Sequence, residues 1–475
     1  MELKKILVFA LGPIGGAILG FVTLPLITWF FTTEDVGRIA MLNVAIGFST
    51  LFFSLGLDQA YVREYHEANS KPALFKATFL PGFALLTVIL LIILSLDGAL
   101  SKWLLDIDSL LLSVLIASVL ISTFIARFLS LILRMNERGL AYSMSQVLPK
   151  ILLIVIIVSY VFFNTSKNIT NLIIANVAST IFICLIFVWN TRKEWLAAVK
   201  ENIDYIYLQR LLKFGVPLIF GSLAFWGLTA TDRVLLKELS TFNELGIYSV
   251  AVSFAAAATI FQSVFSTVWI PTVYKWASTG EDLNKIDNVN RYVLLVVIVL
   301  FCLAGLFSWL VTLILPSQYK EVQWILIACL GFPLLYTLSE TTVIGVNISR
   351  RSGFSMVASI LAFISNLIGN YYLIPYWGAA GAAVSTCFSF WLFFLLRTEF
   401  SIYLWRPMPR VLLYGYTTLL VSGAIGNTLY GDVLGDYFIL YWLLLLLSTL
   451  AFFKDELNES KLFLIDNLKM KSIKS

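Results

Sequence analysis

Charged residues are scarce in this sequence, and histidine is almost absent. Of the 475 residues, 13% are charged, 59% are hydrophobic, and His66 is the single histidine. Soluble domains carry about 25% charged residues, so this chain has too few polar groups to cover a surface in water. Hydrocarbon instead penalises charge and requires every backbone polar group to be bonded within the protein. The composition therefore predicts a chain that lies almost entirely in a membrane.

Further absences exclude several kinds of site. A single histidine excludes a histidine metal centre, and no GxxxxGK[ST] loop is present to bind a nucleotide. The cysteines lie in apolar runs without a CxxC spacing, so we expect small buried side chains rather than ligands. These cysteines are Cys184, Cys302, Cys329 and Cys387. We therefore expect neither a metal nor a cofactor.

Apolar runs of about twenty residues, the length that crosses a bilayer as a helix, recur along the whole chain. They predict an all-α polytopic membrane protein with about fourteen transmembrane helices. The predicted spans are 6–31, 39–60, 78–96, 109–133, 145–163, 170–189, 214–236, 247–270, 292–315, 322–346, 354–374, 378–396, 411–429 and 437–453. The first run follows two lysines as in a signal peptide, but no small-x-small cleavage site follows, so we expect an uncleaved helix.

Lysine and arginine alternate in abundance from loop to loop. With the N-terminus placed inside, about 25 of the 33 basic residues fall on the inner side and about six on the outer side. This asymmetry predicts an even number of spans and two cytoplasmic termini. The longest predicted outer loop is only 97–108, which leaves little room for the catalytic site of a membrane-embedded glycosyltransferase or polymerase. The function is then expected to be transport rather than enzymatic catalysis.

The two halves of the chain resemble each other. TTEDVGRIAMLN (32–43) matches TFNELGIYSVAV (241–252), with Gly37 opposite Gly246, and RGLAYSMSQ (138–146) matches RSGFSMVAS (351–359). We therefore predict a six-helix lobe at 1–192, a cytoplasmic linker at 193–213 and a second, pseudo-symmetric six-helix lobe at 214–400. Two extra helices and a basic tail follow at 401–475. Internal repeats of this kind are typical of transporters that bind their substrate between the repeats.

Three motifs carry a family resemblance. The run NISRRSGFSMVASILAFISNLIGNYYLIPYWGAAGAAVSTCFS resembles the second-lobe hallmark of polysaccharide transporters, through Asn366, Asn370, Pro375, Gly378, Gly381, Ala382 and Ala383. TDRVLL (231–236) and LGLDQAYVREY (55–65) resemble segments of the same family. The chain is similar to the Wzx-type O-antigen and lipid-linked oligosaccharide flippases of the multidrug/oligosaccharidyl-lipid/polysaccharide exporter superfamily.

The resemblance implies a flippase in the bacterial cytoplasmic (inner) membrane. Its substrate would be an undecaprenyl-pyrophosphate-linked oligosaccharide, carried from the cytoplasmic to the outer leaflet by alternating access. A proton or Na⁺ would be the coupling ion, and a polysaccharide polymerase and a chain-length regulator would be possible partners. A multidrug exporter of the same superfamily and a lipid II flippase remain alternatives.

Ionisable residues inside spans are costly and commonly mark a transport pathway. Arg127, Arg134 and Arg138 are spaced at i, i+7 and i+11, which predicts one helix face that could bind a pyrophosphate. Lys150 and Arg233 are further candidates for substrate binding. Arg127 could alternatively extend to the inner interface.

The acidic residues in spans are Asp58, Asp232 and Glu340. They are candidates for ion coupling or for charge pairing, and Glu340 could pair with a buried cation, including Arg127. Four amides, Asn43, Gln262, Asn366 and Asn370, could line the pathway or bond between helices. The small residues of GAAGAA predict a close approach of neighbouring helices.

Overall fold

A computed structural model describes residues 3–96, 98–279 and 284–458. These residues form helices and connecting turns, without a strand among them. The first part contains α1 (Leu3–Phe30), α2 (Thr33–Phe53), α3 (Leu57–Glu64), α4 (Lys71–Leu94), α5 (Ala99–Leu105), α6 (Leu110–Met135), α7 (Gly139–Phe162), α8 (Ile169–Asn190), α9 (Arg192–Lys200), α10 (Tyr205–Leu239) and α11 (Phe242–Ala255). The second contains α12 (Ala257–Thr279), α13 (Asn284–Phe307), α14 (Val311–Ile314), α15 (Val322–Cys329), α16 (Gly331–Thr342), α17 (Ile344–Ile348), α18 (Ser352–Leu404) and α19 (Val411–Phe452).

Ten of the described helical segments are long and apolar enough to cross a membrane, or eleven if α11 and α12 form one broken span. Two of these helices far exceed the roughly 20 residues that one crossing needs, since α18 has 53 residues and α19 has 42. Each is interrupted inside, at Gly378 in α18 and at Leu434 in α19. The all-helical, multi-pass architecture is thus confirmed, while the count of fourteen stays a prediction.

The chain divides into two compact units, Met1–Val250 and Ala251–Ser475. In the first unit α1 packs on α7, α6 on α8, and α10 on α2 and α3. In the second unit α16 packs on α18, and α13 and α15 pack on α19. The lobe boundaries at 192, 213 and 400 stay a prediction. The side chains of Lys4 and Lys5 and the basic tail 459–475 lie outside the described residues.

Helix ends correct two expectations about the first half. α2 ends at Phe53 because Leu55 and Gly56 adopt left-handed φ values of 53° and 65°. Asp58 therefore lies in the separate helix α3, and the prediction of one span over 39–60 is wrong at that end. α6 ends at Met135, and Glu137 is left-handed with φ 54°. The spacing predicts one helix face for Arg127 and Arg138. Because α6 ends before Arg138, the two arginines do not share a face of this helix, and that prediction is wrong.

A third correction concerns the second half. The predicted span 378–396 ends just before Arg397, which places this arginine in the loop that follows the span. The structure continues α18 to Leu404 and buries Arg397, which is 8% exposed. A cation in that position requires a partner within the protein, because an unpaired buried charge is very costly.

Candidate functional site

The central feature of the first unit is an ion pair between α6 and α3. Nη2 of Arg127 lies 2.9 Å from Oδ2 of Asp58. The Asp58 side chain is 11% exposed, whereas that of Arg127 is 49% exposed. Among the described residues, the other guanidinium N–H groups of Arg127 donate no hydrogen bond. Arg127 is therefore a cation within a membrane-spanning helix, fixed by one carboxylate, with donors left open.

The open side of Arg127 belongs to a polar face of α6. Thr123 and Ser130 lie one turn to either side, and Arg134 lies two turns along. The Arg134 side chain is exposed and has no hydrogen-bond or ion-pair partner in the part of the chain that the structure describes. The structure thus retains two of the three arginines on one helix face. Thr123 and Ser130 were not singled out from the sequence, although their i−4 and i+3 spacing to Arg127 carries the signal.

Arg138 belongs to a different cluster. Its Nη2 lies 2.7 Å from Oε1 of Glu194 on α9, and its Nη1 donates to the carbonyl of Asn190. Asn136 donates to the same Glu194 carboxylate. Burial, and secondarily Tyr65 and Glu194, raise the pKa of the nearby Tyr61 phenol beyond its usual range. This cluster fastens α9 to the end of α6 and the start of α7.

Lys150 lies where α7 packs on α1. Its Nζ donates to the carbonyl of Gly16 at 2.5 Å. A Cβ added at Gly20 would lie 2.7 Å from the same Nζ, so the glycine provides the space for the ammonium. Lys150 is half-buried in this interface.

Asp232 and Arg233 of α10 both contact Tyr248 of α11. The Tyr248 hydroxyl donates to Oδ2 of Asp232 at 2.5 Å, and the guanidinium of Arg233 lies 6.0 Å from the Tyr248 ring centre. Asp232 is 1% exposed, and Nη1 of Arg233 donates to the carbonyl of Thr229. These contacts join α10 to α11.

α2 and α11 meet through glycine. A Cβ added at Gly37 would overlap the carbonyl of Phe242, and one added at Gly246 would overlap the carbonyl of Thr33. The Thr33 hydroxyl donates to the Asn243 side-chain oxygen beside this contact. The two backbones can therefore approach this closely only because neither glycine carries a side chain.

A second glycine contact joins α10 to the turn before α3. A Cβ at Gly56 would overlap the Gly215 carbonyl, and one at Gly215 would lie 2.8 Å from the Leu55 carbonyl. Beside it, the guanidinium of Arg63 lies 4.4 Å from the Phe214 ring centre. α10 is thus held against the α2–α3 segment by backbone contact.

The second unit contains a buried ion pair. Nη2 of Arg397 lies 2.9 Å from Oε1 of Glu340, and its Nη1 donates to Ser339 at 2.6 Å. Both charged residues are 8% exposed. The guanidinium also lies 4.9 Å from the Phe393 ring centre. Glu340 thus has a cation partner inside its own unit, and this partner, Arg397, was not among the candidate residues predicted from the sequence.

Two of the predicted amides lie between the two halves of α18. Nδ2 of Asn366 donates to Thr386, and Nδ2 of Asn370 donates to Oδ1 of Asn366, both at 3.0 Å. A Cβ at Gly381 would lie 2.6 Å from the Leu373 carbonyl, so the small residues of GAAGAA permit the predicted close approach. Asn366 therefore bonds across the two halves of α18, and Asn370 bonds to Asn366 one turn along the same half.

The other two amides have no such partners. Asn43 is exposed on α2 and Gln262 is half-buried on α12. In the described ranges neither side chain makes a hydrogen bond. Their assignment to a pathway stays a prediction.

Comparison with known proteins identifies the family. A family model described as polysaccharide biosynthesis protein matches residues 3–276, more than half of the chain. The chain belongs to this family.

Two curated relatives are similar to parts of the chain. The chain is 24% identical over 164 residues to a probable low-salt glycan biosynthesis flippase of Haloferax volcanii, a match covering 34% of this chain and 34% of that protein. It is 24% identical over 243 residues to the capsular polysaccharide biosynthesis protein CapF of Staphylococcus aureus, covering 49% of this chain and 60% of the relative. The chain thus matches less than two thirds of the length of either relative.

Solved structures establish the fold. The lipid II flippase MurJ, in an inward closed conformation, superimposes with a TM-score of 0.67 at 15% identity, covering 95% of this chain and 100% of that one. An inward-facing multidrug resistance MATE family transporter of the MOP superfamily gives 0.54 at 13% identity, covering 85% and 96%. The predicted resemblance to a polysaccharide family is confirmed by the family model, and the two solved structures show the fold.

Proposed function

We propose that the protein carries an undecaprenyl-pyrophosphate-linked oligosaccharide from the inner to the outer leaflet by alternating access. The proposal rests on one observation: Arg127 lies inside a membrane-spanning helix, is half-exposed, and has guanidinium N–H groups that donate no hydrogen bond among the described residues. Membership of the polysaccharide biosynthesis family and the names of its relatives support the same substrate class.

Arg127 and Arg134 are suited to the movement of a pyrophosphate-linked glycan across the membrane. A pyrophosphate and its sugars cannot cross about 30 Å of hydrocarbon unaided, so they need a polar path with cationic partners. Arg127 and Arg134 lie about 10 Å apart along one face of α6, given a rise of about 1.5 Å per residue. The planar guanidinium binds phosphate oxygens in pairs, and Asp58 fixes the orientation of Arg127.

We further propose that energy comes from a proton or Na⁺ gradient, or from consumption of the substrate by a polymerase. Asp58, Asp232 and Glu340 are the candidates for ion coupling, and Lys150 and Arg233 remain candidates for substrate binding. A coupling role for Glu340 requires its pair with Arg397 to open. In this proposal the chain lies in the bacterial inner membrane with both termini in the cytoplasm.

Translocation in proteoliposomes tests the proposal. The probe is undecaprenyl-pyrophosphate carrying a labelled oligosaccharide, and the measurement is the fraction of glycan that becomes resistant to external glycosidase digestion. Arg127→Ala should slow transport at least about tenfold, since a charge-assisted hydrogen bond contributes about 1.5–3 kcal/mol. Arg127→Lys should retain part of the rate, and Arg192→Ala, on the exposed part of α9, is the matched control.

Two results would contradict the proposal. One is a folded Arg127→Ala protein that transports at the parent rate. The other is a parent protein that leaves this probe in place but moves lipid II or a cationic dye, which would favour the lipid II or multidrug alternative.

A further inference from the structure

An apolar cavity of about 350 Å³ lies among α4, α6, α8 and α9 in the first unit. Stacked rings of Phe75, Phe79 and Phe83 follow α4 along it, with centroid separations of 5.4 and 5.0 Å. Lys76 is the one charged residue of the lining. A cavity without polar partners does not hold ordered water, so a hydrocarbon ligand suits it better than solvent.

The cavity opens on a surface of α4 that is suited to lipid. Leu80, in its lining, is 37% exposed, and Val88 and Leu91 farther along α4 are 53% and 61% exposed. Val199 on α9 lines the cavity from the other side and is 64% exposed. Large exposed apolar side chains on a membrane-spanning helix are in contact with lipid chains. An acyl chain of a bilayer lipid can therefore enter the cavity from the side.

The rim of the cavity carries two lysines, Lys76 and Lys200, and one carboxylate, Glu201, which accepts a hydrogen bond from the Ser70 hydroxyl. Nζ of Lys76 donates to the carbonyls of Val199 and Glu201, at 2.9 and 2.6 Å, and so holds the end of α9 over the cavity. Lys200 is exposed beside Val199 and has no side-chain partner among the described residues. A short helix that exposes apolar and basic side chains together is typical of a membrane interface with anionic lipids.

We propose that this cavity binds one acyl chain of an anionic phospholipid, with its headgroup at the basic end of α9. The lipid is distinct from the one transported. Ile125 and Leu129 of α6 face the cavity, and each stands two residues from Arg127, roughly 200° around the helix. The cavity and the candidate substrate face therefore lie on opposite sides of α6. The inference does not depend on the proposed function.

The test uses the full chain in nanodiscs of phosphatidylglycerol that carries a photoactivatable diazirine in mid-chain. Labelled peptides are quantified by mass spectrometry. Peptides from α4 that line the cavity should label more strongly than lipid-facing peptides of α19. Ala198→Phe fills the cavity and should lower α4 labelling about tenfold, whereas Ala197→Phe, exposed on the same helix, should leave it unchanged. Leu80→Trp, which blocks the opening, should act as Ala198→Phe does.

Two further experiments test whether the headgroup must be anionic and whether the bound hydrocarbon chain comes from a phospholipid or from a polyprenyl lipid. Phosphatidylcholine with the same chain, or the Lys200→Gln protein, should label α4 several-fold less, and Lys193→Gln is the matched control. Unlabelled undecaprenyl phosphate should not compete. The proposal is overturned if α4 labels no more than α19, if both blocking variants label normally, if headgroup charge has no effect, or if the polyprenyl lipid displaces the probe.

Discussion

Gly37 of α2 and Gly246 of α11 lie against each other through their backbones. The contact is reciprocal, since each glycine faces a carbonyl of the other helix, that of Phe242 or of Thr33. These are the two glycines that the internal repeat aligns, and Thr33 and Phe242 stand the same number of residues before them. A reciprocal contact between repeated segments is what a local two-fold relationship produces.

Adding a methyl group to this contact should impair transport. In Gly37→Ala the new Cβ would meet backbone, which cannot move aside alone, so α2 and α11 must separate. We expect the translocation rate to fall about tenfold, because overpacking of a tight contact costs about 1–3 kcal/mol. Gly221→Ala on α10 is the control, since no atom lies within 4 Å of its added Cβ. A Gly37→Ala protein with the parent rate would show that this contact is not used in transport.

The ion pair between Arg127 and Asp58 should behave as one unit. Asp58→Ala frees Arg127 to turn away, so we expect it to lower transport. In a protein that already carries Arg127→Ala, the same change should add little. A coupling free energy of about 0.5–3 kcal/mol is expected from the four translocation rates. Additive effects would mean that Asp58 acts by a route other than holding Arg127.

Breaking the buried ion pair between Arg397 and Glu340 in the second unit should lower the stability of the protein. Arg397→Met leaves the Glu340 carboxylate without its cation, and loss of one partner of a buried pair costs about 3–5 kcal/mol. We expect a marked fall in the thermal midpoint of the protein in detergent. Glu340→Gln combined with Arg397→Met should recover most of the loss, because the unpaired charge is removed. If the double variant is as unstable as the single one, packing of the Arg397 side chain rather than its charge is what matters.

The break in α18 requires glycine. Gly378 has φ 47° and ψ −124°, a conformation that costs an L-residue about 1–3 kcal/mol. Gly378→Ala should therefore lower the thermal midpoint, while Gly353→Ala, with open space around its added Cβ, should not. Equal midpoints for the two variants would show that α18 can bend without this conformation.

Much of the fold was predictable because lipid imposes simple rules. Long apolar runs gave the helices, and the repeat aligned Gly37 with Gly246 before any contact was known. Helix ends were harder to predict, since left-handed backbone at Leu55 and Glu137 contributes to them and neither residue is a usual helix breaker; only Gly56, beside Leu55, carries a sequence signal for such an end. Because of these helix ends, Asp58 lies in α3 rather than α2, and Arg138 lies at the start of α7 rather than on α6.

The site was predictable only in part. Arg127 and Glu340 could be recognised as charges within spans, but their partners depend on which helices are neighbours in space. Arg397 was missed because a run of apolar residues ends just before it, so its charge looked like the start of a loop. In the structure α18 continues beyond Arg397, and Thr398 and Ser401 are both buried in that continuation.

The glycine contact between α2 and α11 also affects how fast these helices can part. At its centre the touching atoms belong to the main chain, so no side-chain rotamer has to be frozen when the contact forms or released when it breaks. Fixing a long side chain can cost up to about 2 kcal/mol of conformational entropy, and this contact avoids that cost in both directions. Opening of its centre therefore requires movement of whole helices, and the Thr33–Asn243 hydrogen bond beside it is a side-chain contact that must break as well.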